Sequence, residues 1–195
     1  GIALSAAALS LLLVYAGLYG TAVHIVSSAI FGTSLLLLYT SSTLYHSFRN
    51  PGVKRFFKIV DHSCIYILIA GTYTPFLLIS LEGALGWTLF GIIWLIALIG
   101  IVLKIFFVHR FKIISTIAYI GMGWIIVFAI KPLIAALERG GLVLLVAGGL
   151  AYTLGVIFYA WKKMPFHHGI WHLFVIAGSV CHFFSVLFYV IPGRD

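Results

Sequence analysis

Residues 84–107 read ALGWTLFGIIWLIALIGIVLKIFF. The run carries one charge, Lys104, and does not alternate between apolar and polar positions. Continuous apolar character over 18 residues or more marks a membrane-crossing helix rather than a strand. Backbone groups in lipid must be satisfied within the segment, which leaves helices or a closed barrel, and the absence of alternation decides for helices. Similar runs recur at roughly 1–19, 22–47, 56–81, 113–136, 141–162 and 168–191, giving seven apolar segments. Short connections hold the breakers: Gly20, Pro51-Gly52, Glu82-Gly83, His109-Arg110, Glu138-Arg139-Gly140-Gly141 and Lys163-Met164-Pro165. The expected architecture is an all-α integral membrane protein, with residues 1–195 forming one seven-transmembrane helix bundle. Gly1 stands inside the first run, so that helix is expected to be truncated at its N-terminus.

Composition excludes a water-soluble domain of this size. The 195 residues are 63% hydrophobic and 8% charged, and the mean hydropathy is +1.20. The net charge of +8 would suggest nucleic acid in a soluble protein. Here the cations fall in short loops, where they set topology and meet lipid headgroups, so no nucleic-acid partner is expected. Arg49, Lys54, Arg55, Lys58, Lys104, Arg110, Lys112, Lys162 and Lys163 are assigned to three connections on one side. Lys131, Arg139 and Arg194 fall on the other. The bias toward the inside predicts a cytoplasmic N-terminus and an outside C-terminus. Cys64 and Cys181 lie in apolar segments and are expected to be free thiols. Pairs such as Gly121-Met122-Gly123 and Gly148-Gly149 predict close helix packing. Pro75 and Pro132 predict kinks or helix ends, and Trp87 and Trp161 fit an interfacial belt.

Three polar clusters stand out against this background. Ser41-Ser42-Thr43-Leu44-Tyr45-His46 ends the second segment, Asp61-His62 lies early in the third, and His167-His168-Gly169-Ile170-Trp171-His172 opens the seventh. The topology puts all three at one depth, near the cytoplasmic side. His168 and His172 are four apart, which on a helix sets both imidazoles on one face about 6 Å apart along the axis. With His46 they make three candidate metal ligands, a set that leaves a fourth position open for water and suits Zn²⁺. Ser42 precedes His46 by four and shares its face, where it can support a ligand or the water. Asp61 is the one acidic residue well inside a segment, and a charge there is costly. Either Lys58 and Arg55, on its own helix, neutralise it, or it faces the metal site as a base. His182 lies about 15 Å deeper than His172 and is expected to make a core hydrogen bond or line a polar cavity. His24 is placed at an outer helix end and His109 in a loop, while His62 and His167 are expected to point away from Asp61 and His168.

The order Ser42-x-x-x-His46, Asp61, His168-x-x-x-His172, followed by His182-Phe183-Phe184, resembles the bacterial hemolysin III family. That family stands with the progestin and adipoQ receptors, including adiponectin receptors, and more distantly with alkaline ceramidases. The resemblance spans essentially the whole chain. It implies a zinc held by His46, His168 and His172, with Asp61 on the water at the metal and Ser42 close by. It also implies a cytoplasmic N-terminus, in agreement with the loop charges, and placement in the plasma (inner) membrane of a bacterium.

Three functions are compatible with these residues. The first is a zinc-dependent hydrolase of a lipid-like amide or ester, with Asp61 and Ser42 in catalytic roles and a membrane lipid as substrate or ligand. The second is a non-enzymatic, receptor-like or membrane-homeostasis protein with a structural zinc. The third is a cytolytic pore or a transporter lined by Ser179, His182 and Ser185. A homo-oligomer is compatible with all three.

Overall fold

A computed structural model describes residues 1–108, 110 and 112–192. The described residues are helical, with no strand among them. The helices are α1 (Ile2–Tyr19), α2 (Ala22–Ser47), α3 (Pro51–Pro75), α4 (Gly83–Phe107), α5 (Lys112–Gly123), α6 (Ile130–Ala136), α7 (Arg139–Ala160) and α8 (His167–Ser185). A 3-10 turn at Ile125–Ala129 joins α5 to α6, and π-helical turns at Phe76–Ser80 and Val186–Val190 extend α3 and α8. Together these make seven helical spans long and apolar enough to cross a membrane. His109 and Arg194 lie outside the described residues, as do the last residues of the chain.

The third span begins earlier than the apolar run alone suggests. Pro51 sits at the first helical position, where its missing N–H costs nothing, and the Asn50 side chain accepts from Gly52 N at 3.0 Å and Val53 N at 3.3 Å. The dipeptide expected to break the chain therefore starts a helix. Phe48 stacks on Phe57 with ring centroids 5.2 Å apart, which closes the turn between α2 and α3. The span made from α3 is the most enclosed, with 67% of its apolar window buried, so it forms the centre of the bundle.

Small residues let α7 and α8 approach. Gly141, Gly148 and Gly155 recur every seven residues on α7 and are buried. A Cβ at these positions would run into Tyr189, His182 and Phe174 respectively. On the other side of the bundle, Gly71 of α3 gives room to Ser34 of α2. Lipid supplies no hydrophobic drive between helices, so such close contacts and interhelical hydrogen bonds do the joining. Gly121 and Gly123 do not follow this pattern, since a Cβ on either would meet nothing within 4 Å. Their place is explained by the interruption that follows. The α-helical ladder stops at Gly123, and the Tyr73 hydroxyl, from the central α3, donates to Gly123 O at 2.7 Å and accepts from Ile126 N at 3.0 Å. One side chain thus supplies partners to backbone groups that the break would leave unpaired in an apolar setting.

Pro75 ends α3 at the point where the π-turn begins, and Pro132 stands near the start of α6, so both mark helix ends. Trp87 and Trp161 are exposed near span ends, as an interfacial belt requires. Lys104 departs from its expected place in a loop. It lies in the last turn of α4, 3% exposed, with Nζ 5.7 Å from the centre of the Tyr119 ring. Its long stem is buried along apolar surface and its charge is met by an aromatic face.

Removing the Tyr73 hydroxyl should leave Gly123 O and Ile126 N without that partner. Tyr73→Phe is expected to lower stability by about 1–3 kcal/mol, read as a drop in melting temperature in detergent. Tyr15→Phe should melt like the parent, because the Tyr15 hydroxyl has no hydrogen bond among the described residues.

Candidate metal centre

The last turn of α2 carries His46, and the first turns of α8 carry His168 and His172. α8 starts abruptly. Phe166, just before it, adopts the left-handed conformation at φ 57, uncommon for a residue with a Cβ. His167 turns away from its neighbour, as expected, and its Nδ1 lies 3.2 Å from Phe158 O at the end of α7. The chain is thereby redirected within a few residues, and the next helical face presents His168 and His172 toward α2.

The three imidazoles converge. His168 Nε2 lies 3.2 Å from His46 Nε2 and 3.1 Å from His172 Nε2. One ligand atom from each of the three lies within 4.8 Å of the others. Nitrogens bound tetrahedrally at about 2.0–2.1 Å from one Zn²⁺ sit about 3.3 Å apart, so the observed spacing fits a shared ion. Hydrogen bonding among the rings fits less well. A neutral imidazole Nε2 is either a donor or an acceptor, and here one Nε2 faces two others at once. The three histidines can hold a metal ion. His46 is exposed while His168 and His172 are half-buried, so the ligand set is open on one side.

Aromatic rings wall the site. The Trp171 ring lies 4.5 Å from His172 and 5.2 Å from His168, and Tyr45 lies 4.8 Å from His46. Tyr159 packs on Trp171 at 5.3 Å. Trp171 and Tyr45 adjoin the ligands in sequence, and that adjacency was the available sign of them.

Asp61 is buried, 6% exposed, and within electrostatic range of His168 and His172, but it is not part of the ligand set. Its nearest ionic contact is with the neighbouring residue. Asp61 Oδ2 lies 3.3 Å from His62 Nδ1, in a geometry that is not a hydrogen bond. His62 therefore faces its neighbour, contrary to the expectation that it points away. The His62 carbonyl also accepts from the Tyr119 hydroxyl at 2.8 Å, which ties this turn of α3 to α5. Arg55 lies elsewhere, in a pocket at the end of α4. Ser42 is half-buried one turn from His46, and its hydroxyl has no hydrogen bond among the described residues. Cys64 and Cys181 are free thiols, and Cys64 is packed in the core.

The sequence reading missed a second tie between the same helices. Tyr39 OH donates to Ser179 Oγ at 2.9 Å, and Tyr152 OH lies 2.8 Å from the same oxygen. Tyr39 precedes His46 by seven residues and Ser179 follows His172 by seven. Two helical turns are about 10 Å, so α2 and α8 are joined twice at matching depths, with α7 included through Tyr152. His182 makes a core hydrogen bond, as expected, with Nε2 3.1 Å from Leu145 O. Ser185 donates to Gly141 O at 2.9 Å.

Comparison with known proteins decides the family. The haemolysin-III related family matches residues 1–183. The chain belongs to the haemolysin-III related family. It is 56% identical to Hemolysin-3 of Bacillus cereus over 192 residues, covering 98% of this chain and 88% of that protein. It is 56% identical over 191 residues to the Hemolysin-3 homolog of Bacillus subtilis (strain 168), covering 98% and 90%. Monocyte to macrophage differentiation factor of Homo sapiens is 30% identical over 172 residues, covering 85% of this chain and 71% of that protein. No solved structure matches. The seven spans and these relatives make this a multi-pass bacterial membrane protein.

Elemental analysis of the purified protein is expected to give about one metal ion per chain, falling to background in His46→Ala, His168→Ala and His172→Ala alike. Acid should release the ion, because a protonated imidazole cannot ligate. Tyr39→Phe should bind more weakly while keeping all three ligands, since it loosens the register of α2 against α8.

Proposed function

We propose that this member of the haemolysin-III related family is a zinc-dependent hydrolase of a lipid-like amide or ester, working at the face of the membrane that carries the basic loops. The observation that carries the reading is three converging Nε2 atoms within electrostatic range of a buried carboxylate that is not one of the ligands. A purely structural zinc site is a closed tetrahedron of four protein ligands. Three ligands, one of them exposed, resemble the open arrangement of catalytic sites. Zinc is preferred because it suits imidazole and needs no redox partner.

His46, His168 and His172 would hold the ion. When bound, the metal supplies Lewis acidity, activating water and polarising a carbonyl oxygen. Asp61 takes the proton from the attacking water and later delivers it to the leaving nitrogen or oxygen. The water oxygen becomes part of the new carboxylic acid, and the bond from acyl carbon to the leaving atom breaks. His62, against Asp61, keeps that carboxylate in place. Ser42 offers a hydroxyl on the same face as His46 to hydrogen-bond the reacting groups. Tyr45, Tyr159 and Trp171 form an aromatic wall against which an acyl chain can lie. The loop charges support an orientation with this face in the cytoplasm and the N-terminus inside.

A second reading, a membrane-homeostasis protein with a structural zinc, is favoured by the position of the triad across α2 and α8. In that case the ion serves as a clamp. A pore is poorly supported, although the name Hemolysin-3 of the Bacillus cereus relative speaks of lysis. Ser179, His182 and Ser185, the residues expected to line a path, each form bonds between helices. Release of single-chain amphiphiles by a lipid hydrolase accounts for lysis without one.

Purified protein incubated with a panel of lipid amides and esters should release fatty acid, measured by mass spectrometry. Asp61→Asn should lose activity by about 100-fold or more while retaining its metal. Full stability loss on chelation, with no turnover on any member of the panel, would point to the clamp.

A further inference from the structure

A group of cations gathers where α3 and α4 reach the basic face, and the histidine site uses none of them. Arg55 and Arg110 line a pocket of about 280 Å³ together with Ile105, Phe106, Phe107 and Val108. Arg55 is in the second turn of α3, and Arg110 follows α4, with its N–H donating to Phe107 O at 2.9 Å. Neither guanidinium has an ion pair among the described residues. Lys104, buried one turn before the end of α4, also lacks a carboxylate partner there. Like charges brought together at a membrane surface are stabilised when an anion comes between or beside them.

The walls say what kind of anion. Phe106 is 72% exposed, Ile105 52% and Phe107 41%, all on the last two turns of a span that faces hydrocarbon. A free phosphate has no use for such surface, whereas an amphiphile with an anionic head covers it with a chain. Guanidinium groups match the paired oxygens of a phosphodiester, and basic pockets between membrane helices at this level suit anionic headgroups. We infer that this pocket binds the phosphodiester headgroup of an anionic membrane lipid, with Arg55 and Arg110 on the phosphate and an acyl chain along Ile105 and Phe106. The site is separate from the histidines and does not depend on what they catalyse.

The test is native mass spectrometry of the full chain in detergent, titrated separately with phosphatidylglycerol, phosphatidylcholine and inorganic phosphate. Phosphatidylglycerol should bind in preference to phosphatidylcholine. Arg55→Gln with Arg110→Gln should weaken it on the order of tenfold, with metal content unchanged as evidence of an intact bundle. Lys162→Gln with Lys163→Gln removes the same charge from another loop on that face and should leave binding unchanged. Equal weakening by the two pairs would overturn the pocket in favour of a diffuse field. Equal binding of phosphatidylcholine would remove the role of the anion. Displacement of bound lipid by inorganic phosphate would make the site one for free phosphate instead.

Discussion

The last turn of α2 meets the first turn of α8 where His46 Nε2 and His168 Nε2 lie 3.2 Å apart. Residues 46 and 168 are far apart in the chain, and the geometry of the bundle is what keeps them that close. An odd number of separating spans would have put them on opposite faces. With four spans between α2 and the seventh, counted from the third through the sixth, the end of one and the start of the other return to the same side. Parity brings them to one level, and contacts inside the bundle bring them to one point. The Tyr39–Ser179–Tyr152 hydrogen bonds, about two turns deeper, set the sliding register of α2 against α7 and α8.

Two sets of polar side chains stand out in this bundle. One ties helices together: Tyr73 on Gly123 and Ile126, Tyr119 on His62, His182 on Leu145, Ser185 on Gly141, and Trp94 on Thr74 at 3.2 Å. In lipid such bonds replace the burial of apolar surface as the means of choosing one helix arrangement. The second group gathers at the basic face, where His46, His168, His172 and Asp61 are brought close without a hydrogen bond from the carboxylate to any ligand. Asp61 is buried and makes no hydrogen bond to another helix among the described residues. The same separation of roles explains why His182, though a membrane histidine, belongs to the scaffold.

The seven spans were legible because apolar length is a local property, readable run by run. The start of α3 was misread because Pro51-Gly52 looks like a break, while Asn50 and the missing N–H of proline make it a helix start. Lys104 was misplaced because a single charge near the end of a run looks like the beginning of a loop. Its burial depends on Tyr119, a residue from another helix. Gly121 and Gly123 looked like packing glycines, yet nothing lies beside them and the helix breaks there instead.

Sequence alone determined the helical membrane class and singled out the three histidines that the fold brings together. Apolar runs and ionisable exceptions within them are properties of single segments, and loop charges rank their depth. Tertiary structure alone decided that three Nε2 atoms share one point, that Asp61 stays outside the ligand set and faces His62, and that Ser179 joins Tyr39 to Tyr152. Those outcomes depend on rotation and register between helices distant in the chain. Glycine spacing on α7 and hydrogen bonds across the bundle set them, and no single segment encodes either.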